Sequence, residues 1–165
     1  MKISIQDIEN SQDRELDIEF NEVIEELNKD IPLTANLKAV ALDSEFIKIF
    51  GSISGKLNLV CDNCLKEFTK EISIDIEETF ARHALFDEDH DEIELKDGSF
   101  IEDLNGRNEI DITDLVYQSV ILSLPNKLVC DINCIGDEKI EQYLKNDNSD
   151  PRLDVFKSIK IEKDN

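Results

Sequence analysis

The four cysteines of this chain form two close pairs that lie far apart in the sequence. Cys61 and Cys64 make a C-x2-C pair, Cys130 and Cys134 make a C-x3-C pair, and residues 65–129 separate them. Each pair brings two thiols to one point, which is half of a tetrahedral site for a soft metal ion. We therefore predict a structural four-cysteine site, best suited to Zn²⁺, that joins the two segments and has no open position for catalysis.

Three other interpretations of the cysteines stay open at this point. Cys61 and Cys64 could be a redox dithiol, although such motifs begin a helix and this one follows a long strand pattern. The cysteines could be buried as small apolar side chains, or the ligands could be present but empty or oxidised. The amino terminus MKISIQDIENSQDRELD has no apolar secretory segment. We therefore expect the reducing cytoplasm, where structural disulfides are rare.

Up to about residue 80, apolar and polar residues alternate with a period of two, which predicts half-buried antiparallel strands. The longest such segment runs from Ile47 to Cys61, and Gly51 and Gly55 within it indicate a bend, a bulge or the close approach of another backbone. The other alternating apolar positions are Ile3, Ile5, Leu16, Ile18, Phe20, Ala35, Leu37, Ala39, Ala41, Ile72, Ile74 and Ile76.

The second half of the chain changes to helical spacing. Asp111 is a candidate N-cap, and Pro125 is expected to end that helix. The apolar face of the helix is predicted at Ile112, Leu115, Val116 and Leu122. Further short helices are expected at about 137–160, one opened by Asp137 and one by the Asp150-Pro151 pair. A weaker pattern predicts a short helix at 22–28, capped by Asn21.

These patterns together predict an α+β fold with one domain over residues 1–165. Its bent antiparallel sheet is expected to be covered on one face by helices from the C-terminal half. The four-cysteine site would connect the end of the longest strand to the segment after the helix at 111–124. The chain has no internal repeat and no linker rich in proline, glycine or serine.

Negative charge is spread over the whole chain and excludes several classes of function. The chain has 18 Lys and Arg against 39 Asp and Glu, a net charge of −21, and both halves are acidic. Direct binding to naked RNA and a polybasic membrane contact are therefore not expected. No apolar run is long enough for a membrane span. The densest acidic run, within about 86–99, predicts a solvated mobile loop.

No motif of a known enzyme class is present. The sequence lacks a P-loop, a GxGxxG motif and a GxSxG motif. His83 and His90 are the two histidines, and each is better explained as a solvated or hydrogen-bonded side chain than as a metal ligand. The run 87–92 lacks the spacing of an EF-hand loop. We therefore predict that the protein is not an enzyme.

Three segments stand out together, in the order GSISGKLNLVCDNCLKEF, NEIDITDLVYQSVILSLPNKLVCDINC and DPRLDVFKSI, and they span about 47–159. In sequence and in order, these segments resemble the YceD-like family of large ribosomal RNA subunit accumulation proteins. The family's cysteine positions fall on Cys61, Cys64, Cys130 and Cys134. After Cys134 the chain departs from many members, in which further cysteines follow.

This resemblance implies a cytosolic, non-catalytic factor that supports maturation of the large ribosomal subunit. The charge then favours large-subunit precursors or basic ribosomal proteins as partners. The alternative from the residues is an acidic interaction module, held together by a metal, that acts as a chaperone for a basic client outside the ribosome.

Overall fold

The computed structural model describes residues 1–82 and 101–136, and within these ranges the protein is mostly β-sheet. One sheet has five strands in the order β2-β3-β4-β5-β6, and a second sheet pairs β1 with β7. The strands are β1 Lys2–Ser4, β2 Glu15–Glu22, β3 Leu33–Ala41, β4 Phe46–Val60, β5 Glu67–Ala81, β6 Ile101–Asp103 and β7 Glu109–Asp111; the α-helices are α1 Ile5–Asn10 and α2 Ile112–Ser123.

Strands β2 to β5 form the antiparallel meander that the alternating pattern predicts. Neighbouring strands in the chain pair directly, and β4 pairs with β5 over its whole length, from Phe46 opposite Ala81 to Val60 opposite Glu67. The last strand departs from the prediction, because β6 runs parallel to β5. A parallel neighbour needs a crossover connection, and the connection between these two strands includes residues 83–100, outside the described ranges.

One face of the five-stranded sheet forms the core. The inward side chains of β3 and β4 are buried at alternate positions, as expected, and the alternation continues in Cys61 at the end of β4. Burial of such aliphatic side chains contributes about 1.5–3 kcal/mol each before the entropy cost of folding. The buried cluster includes Ile18, Phe20, Leu33, Leu37, Ile47, Ile49, Ile53, Leu57, Ile72 and Phe80.

The layer that packs on this face differs from the predicted cover of helices from the C-terminal half. Among the described residues the only helix from the C-terminal half is α2, and the rest of the layer is α1 with the small β1–β7 sheet. Ile5 and Ile8 of α1 and Ile110 of β7 are buried in the same core as α2. The chain's N-terminal segment does the covering because it pairs with β7 directly before α2. The helices predicted at about 137–160 lie outside the described residues.

Helix α2 begins as predicted, but its buried face differs at one position. The carboxylate of Asp111 accepts hydrogen bonds from the amides of Thr113 and Asp114, which caps the helix. Val120 is fully buried, whereas Leu122 is 82% exposed, so the prediction for Leu122 was wrong. Val120 continues the spacing from Val116 by four residues, and Leu122 lies two residues further around the helix.

The short helix predicted at 22–28 is also corrected. Glu22 still belongs to β2, and residues 25–27 form a single turn in which the amides of Leu27 and Asn28 donate to the carbonyl of Ile24. Isolated turns of this length do not propagate into a helix without a long apolar face. Neither α1 nor α2 is long and apolar enough to cross a membrane, and the same holds for every helix in the described part of the chain.

Gly51 is the point of close approach that the sequence indicated in the longest strand. It has φ 151°, and a β-carbon there would lie 2.8 Å from the Cα of Leu37 and still closer to the carbonyl oxygen of Asn36, both on β3. The pairing of β4 with β3 and β5 continues through this position without an inserted residue. A side chain at this position would therefore push β3 away from β4.

We predict that Gly51→Ala lowers the free energy of unfolding by about 2–3 kcal/mol, because the added methyl overpacks the junction of two central strands. Denaturant titration would measure the change. Ser52→Ala, one position along on the exposed face of the same strand, is the matched control and should change stability by less than about 0.5 kcal/mol. Equal effects of the two variants would contradict this account of Gly51.

Candidate metal centre

The first cysteine pair lies in the loop that joins the two longest strands. Cys61 directly follows β4, and β5 begins at Glu67, so the pair sits at the tip of the β4–β5 hairpin. The amide of Cys61 donates to the carbonyl of Lys66 at 2.9 Å, and the amide of Leu65 donates to the carbonyl of Cys61 at 2.9 Å. Leu65 adopts the left-handed conformation with φ 59°. This tight turn keeps the two thiols of the pair within 4.8 Å of each other.

The second pair reaches the hairpin tip through the segment that follows α2. The amide of Asp62 donates to the carbonyl of Leu128 at 2.7 Å, and the amide of Leu128 donates to Oδ2 of Asp62 at 2.5 Å. The Asn63 side chain donates to the carbonyl of Cys134 at 2.8 Å. The two segments therefore meet through backbone and side-chain hydrogen bonds as well as through the cysteines.

A buried asparagine holds the part of β4 that leads to the cysteine cluster. β3 pairs with β4 up to Ser54, and beyond that point Asn28 takes the place of a neighbouring strand. Its amide nitrogen donates to the carbonyl of Lys56 at 2.6 Å, and its Oδ1 accepts from the amide of Asn58 at 3.0 Å. Asn28 is 5% exposed. Removal of this side chain would leave two backbone groups of β4 without their partner.

The four sulfur atoms form one compact cluster. All of them lie within 4.8 Å of one another. The Sγ atoms of Cys61 and Cys134 are 3.8 Å apart, and those of Cys64 and Cys130 are 3.7 Å apart. These separations are too long for a disulfide, and all four cysteines are free. In a tetrahedron with zinc–sulfur bonds of about 2.3 Å, neighbouring sulfurs lie about 3.8 Å apart, so the cluster has the dimensions of such a site.

Backbone amides favour the charged form of the innermost thiol. Cys61 is fully buried, and burial alone would raise the pKa of its thiol. The backbone amide of Cys130 donates to its Sγ at 3.4 Å, and the amides of Cys64 and Asn63 also point at it. Together these donors outweigh burial and lower the pKa of Cys61 to about 6. The fold thus favours the thiolate form of Cys61, which is the form that binds metal.

The pKa values of Cys130 and Cys134 shift in the opposite direction because the neighbouring thiols crowd against them. Hydrogen bonding to Cys64, Cys134 and Cys61 raises the pKa of Cys130 to about 12. The pKa of Cys134 is also raised: the amide of Gly136 works against this, but burial and hydrogen bonding to neighbouring thiols prevail. Four thiolates this close repel one another, and a divalent cation is what allows all of them to ionise. The cluster can therefore hold a metal ion.

The four predicted ligand residues are thus brought together, whereas the other candidates lie elsewhere in the chain. His83, His90 and the acidic run 87–92 fall outside the described residues. Sequence reasoning missed the supporting side chains Asp62, Asn63 and Asn28. The first two could have been suspected from their place between the cysteines, because Asp and Asn commonly bond to nearby backbone in turns. Nothing in the local sequence identifies Asn28.

Comparison with known proteins gives one match. The model of the family described as large ribosomal RNA subunit accumulation protein YceD matches residues 49–160, a range that contains all four cysteines, the hairpin tip and α2. No curated protein and no solved structure matches significantly. The family match covers more than half of the chain and confirms the resemblance seen in the three sequence segments. The chain therefore belongs to the YceD family of large ribosomal RNA subunit accumulation proteins.

Proposed function

We propose that this protein is a non-catalytic cytoplasmic factor that supports biogenesis of the large ribosomal subunit and accumulation of its RNA, and that residues 1–165 form one domain around a structural zinc site. The observation that carries the proposal is the cluster of four thiols inside the region that matches the family. The ligands would be Cys61, Cys64, Cys130 and Cys134. With four sulfur ligands, zinc has no position left for water or substrate, which supports a structural role.

The role we propose for the metal is to close the far end of the β4–β5 hairpin. Zinc would fix the hairpin tip to the segment after α2, so that residues 65–129 become a closed loop in the native state. The free energy of metal binding would then contribute directly to folding, since the four ligands are not preassembled in the unfolded chain. The hydrogen bonds between Asp62 and Leu128 support the same junction.

The charge of the protein supports a protein-containing partner over naked RNA. A surface with a net charge of −21 repels phosphates and offers few cations to displace their counterions. The same surface attracts basic proteins and would keep them from premature contact with RNA. We therefore propose large-subunit precursors or basic ribosomal proteins as the partners.

Substitution of one buried and one exposed cysteine distinguishes a metal site from a group of free thiols. We predict that purified, reduced protein contains about one zinc per chain. Cys61→Ser and Cys130→Ser should both lose the zinc and lower the free energy of unfolding by at least about 3 kcal/mol, because each removes one of four ligands. Cys61 is buried and Cys130 is exposed, so free thiols would make only Cys61→Ser costly.

Metal analysis and denaturant titration provide the two measurements. Val60→Ser, beside Cys61 on the exposed face of β4, is the control and should keep its zinc. A chain without metal, or a Cys130→Ser variant as stable as the parent, would contradict the proposed site.

Acid should release the metal, with a steep dependence on pH. The pKa values of Cys130 and Cys134 are both raised above the ordinary thiol value, so these two thiols are protonated at neutral pH in the metal-free protein. Binding must displace at least these two protons. The apparent affinity for Zn²⁺ should therefore rise at least about 100-fold per pH unit near neutrality and fall by the same factor on acidification. Competition with a chelator of known affinity would measure it, and an affinity independent of pH would refute the assignment.

Affinity capture from cells, with and without nuclease, tests the ribosomal role. We predict that the tagged protein co-purifies and co-sediments with precursors of the large subunit, and that its depletion lowers the amount of large-subunit RNA relative to small-subunit RNA. Enrichment of a basic client outside the ribosome, with unchanged amounts of both RNAs, would support the alternative of a general chaperone. Loss of the protein with no effect on either RNA would likewise contradict the proposal.

A further inference from the structure

Aliphatic side chains next to the outer cysteines project from the metal centre instead of entering the core. Leu65 follows Cys64 and is 65% exposed, Ile132 lies between the second pair and is 97% exposed, and Ile135 follows Cys134 and is 91% exposed. Val129, directly before Cys130, is exposed as well. We name these four residues the apolar rim. Single exposed aliphatic residues are ordinary on a protein surface, but four around one centre indicate an interaction surface.

The rim is held in a fixed arrangement by the turns that present it. The amide of Asn133 donates to Oδ1 of Asp131 at 2.7 Å, and the amide of Cys134 donates to the carbonyl of Asp131 at 3.1 Å, so Ile132 lies inside a closed turn. The Asn63 side chain binds the carbonyl of Cys134, directly before Ile135. A surface whose backbone is already ordered pays less conformational entropy on binding.

An acidic groove lies along the hairpin, next to the loop that carries the first cysteine pair. It runs between the turn at 25–30 and the ends of β4 and β5, with Leu59 and Val60 in its wall. The carboxylates that line it are Glu25, Glu26, Asp30 and Glu67, against the single cation Lys29. Val60 and Glu67 are the immediate neighbours of Cys61 and Lys66, so the groove reaches the hairpin tip. Four thiolates around a divalent cation would add two further negative charges at that tip.

We infer that the apolar rim and the acidic groove together bind a basic protein segment, in which aliphatic side chains contact the rim while lysines and arginines follow the groove. This inference rests on the proposed function and specifies the surface by which a basic large-subunit protein would be held. Apolar anchors supply affinity, and complementary charge supplies rate of association and selectivity.

Charge argues against the other candidates for this surface. RNA would bring phosphates to a groove lined by four carboxylates. A second copy would bring another acidic chain against it. Residues 137–165 continue from the rim, but they contain eight acidic and six basic residues and so do not complement the groove. A strongly basic partner is the one whose charge fits the groove.

Two double variants test the contributions of the rim and the groove separately. Ile132→Ser with Ile135→Ser removes the two most exposed anchors, and Glu25→Gln with Glu26→Gln removes two charges of the groove. The full-length, zinc-loaded chain would be titrated with individually purified basic proteins of the large ribosomal subunit and with ribosomal RNA fragments, over a range of salt. Zinc content and thermal midpoint are measured on every variant.

We predict that at least one basic protein binds, and that the rim variant weakens its binding at least about tenfold at all salt concentrations, since apolar contact is not screened. The groove variant should slow association and flatten the salt dependence. Leu42→Ser, which is exposed at the opposite end of β4, is the apolar control. Asp17→Asn with Glu19→Gln, on the outer face of β2, is the charge control. Both controls should change the affinity less than twofold.

Three outcomes would overturn the inference, each pointing to another occupant of the surface. A rim variant that loses thermal stability but binds basic proteins as the parent does would show that residues 137–165 cover the rim. Self-association of the parent that is lost in the rim variant would indicate a second copy. Tight RNA binding at physiological salt, with no affinity for any basic protein, would indicate an RNA surface.

The same variants separate this inference from the proposed function. If the rim variant still co-purifies with large-subunit precursors as well as the parent does, the ribosomal function stands and the inference fails. If the parent binds basic proteins through the rim but never associates with precursors, the surface is correct and the ribosomal function fails.

Discussion

The long pairing of β4 with β5 is the contact on which the rest of the structure depends. Each strand has 15 residues, but β3 accompanies β4 only as far as Ser54. The outer part of the hairpin is therefore a two-stranded ribbon with little sheet around it, and such ribbons are marginal in water. The Asn28 side chain forms hydrogen bonds with backbone groups at the unpaired edge of β4. The segment after α2 binds the loop at the hairpin tip through hydrogen bonds between Asp62 and Leu128. The cysteine centre completes this closure.

Local periodicity was sufficient to predict most of the sheet, because every second residue of a half-buried strand is apolar and faces the core. The inward positions of β3 and β4 and the cap at Asp111 follow from such local rules, whereas for Gly51 these rules left a bend, a bulge and a close approach open. The grouping of the four cysteines into one site could also be predicted, since four thiols in two pairs have few common uses in a reducing compartment. Their meeting at one point had to come from the fold, and the structure brings them within 4.8 Å.

The errors concern features that are fixed by contacts between distant parts of the chain. The sequence pattern of α1 does not indicate that it covers the sheet, because this depends on the pairing of β1 with β7 more than a hundred residues later. The parallel placement of β6 likewise depends on a crossover and not on its three residues. Leu122 was placed on the buried face from its helical spacing, whereas the packing of α2 gives that place to Val120. Asn28 is buried because β3 stops short of the hairpin tip, which its neighbours do not reveal.

The proposed closure by a metal, rather than by a larger core, would also explain where the exposed apolar side chains lie. A core that covered the hairpin tip would need many aliphatic residues from several elements, and it would bury Leu65, Ile132 and Ile135. Four thiolates around one ion would achieve the same junction with two short turns, because a few strong bonds to that ion would replace many weak contacts. The aliphatic residues in those turns then stay outside the core, on backbone that the hydrogen bonds of Asp131 and Asn63 already order. The same turns therefore carry both the proposed stabilising centre and the proposed recognition surface. Loss of the metal should therefore weaken partner binding, which titration of the metal-free chain with the same basic proteins would measure.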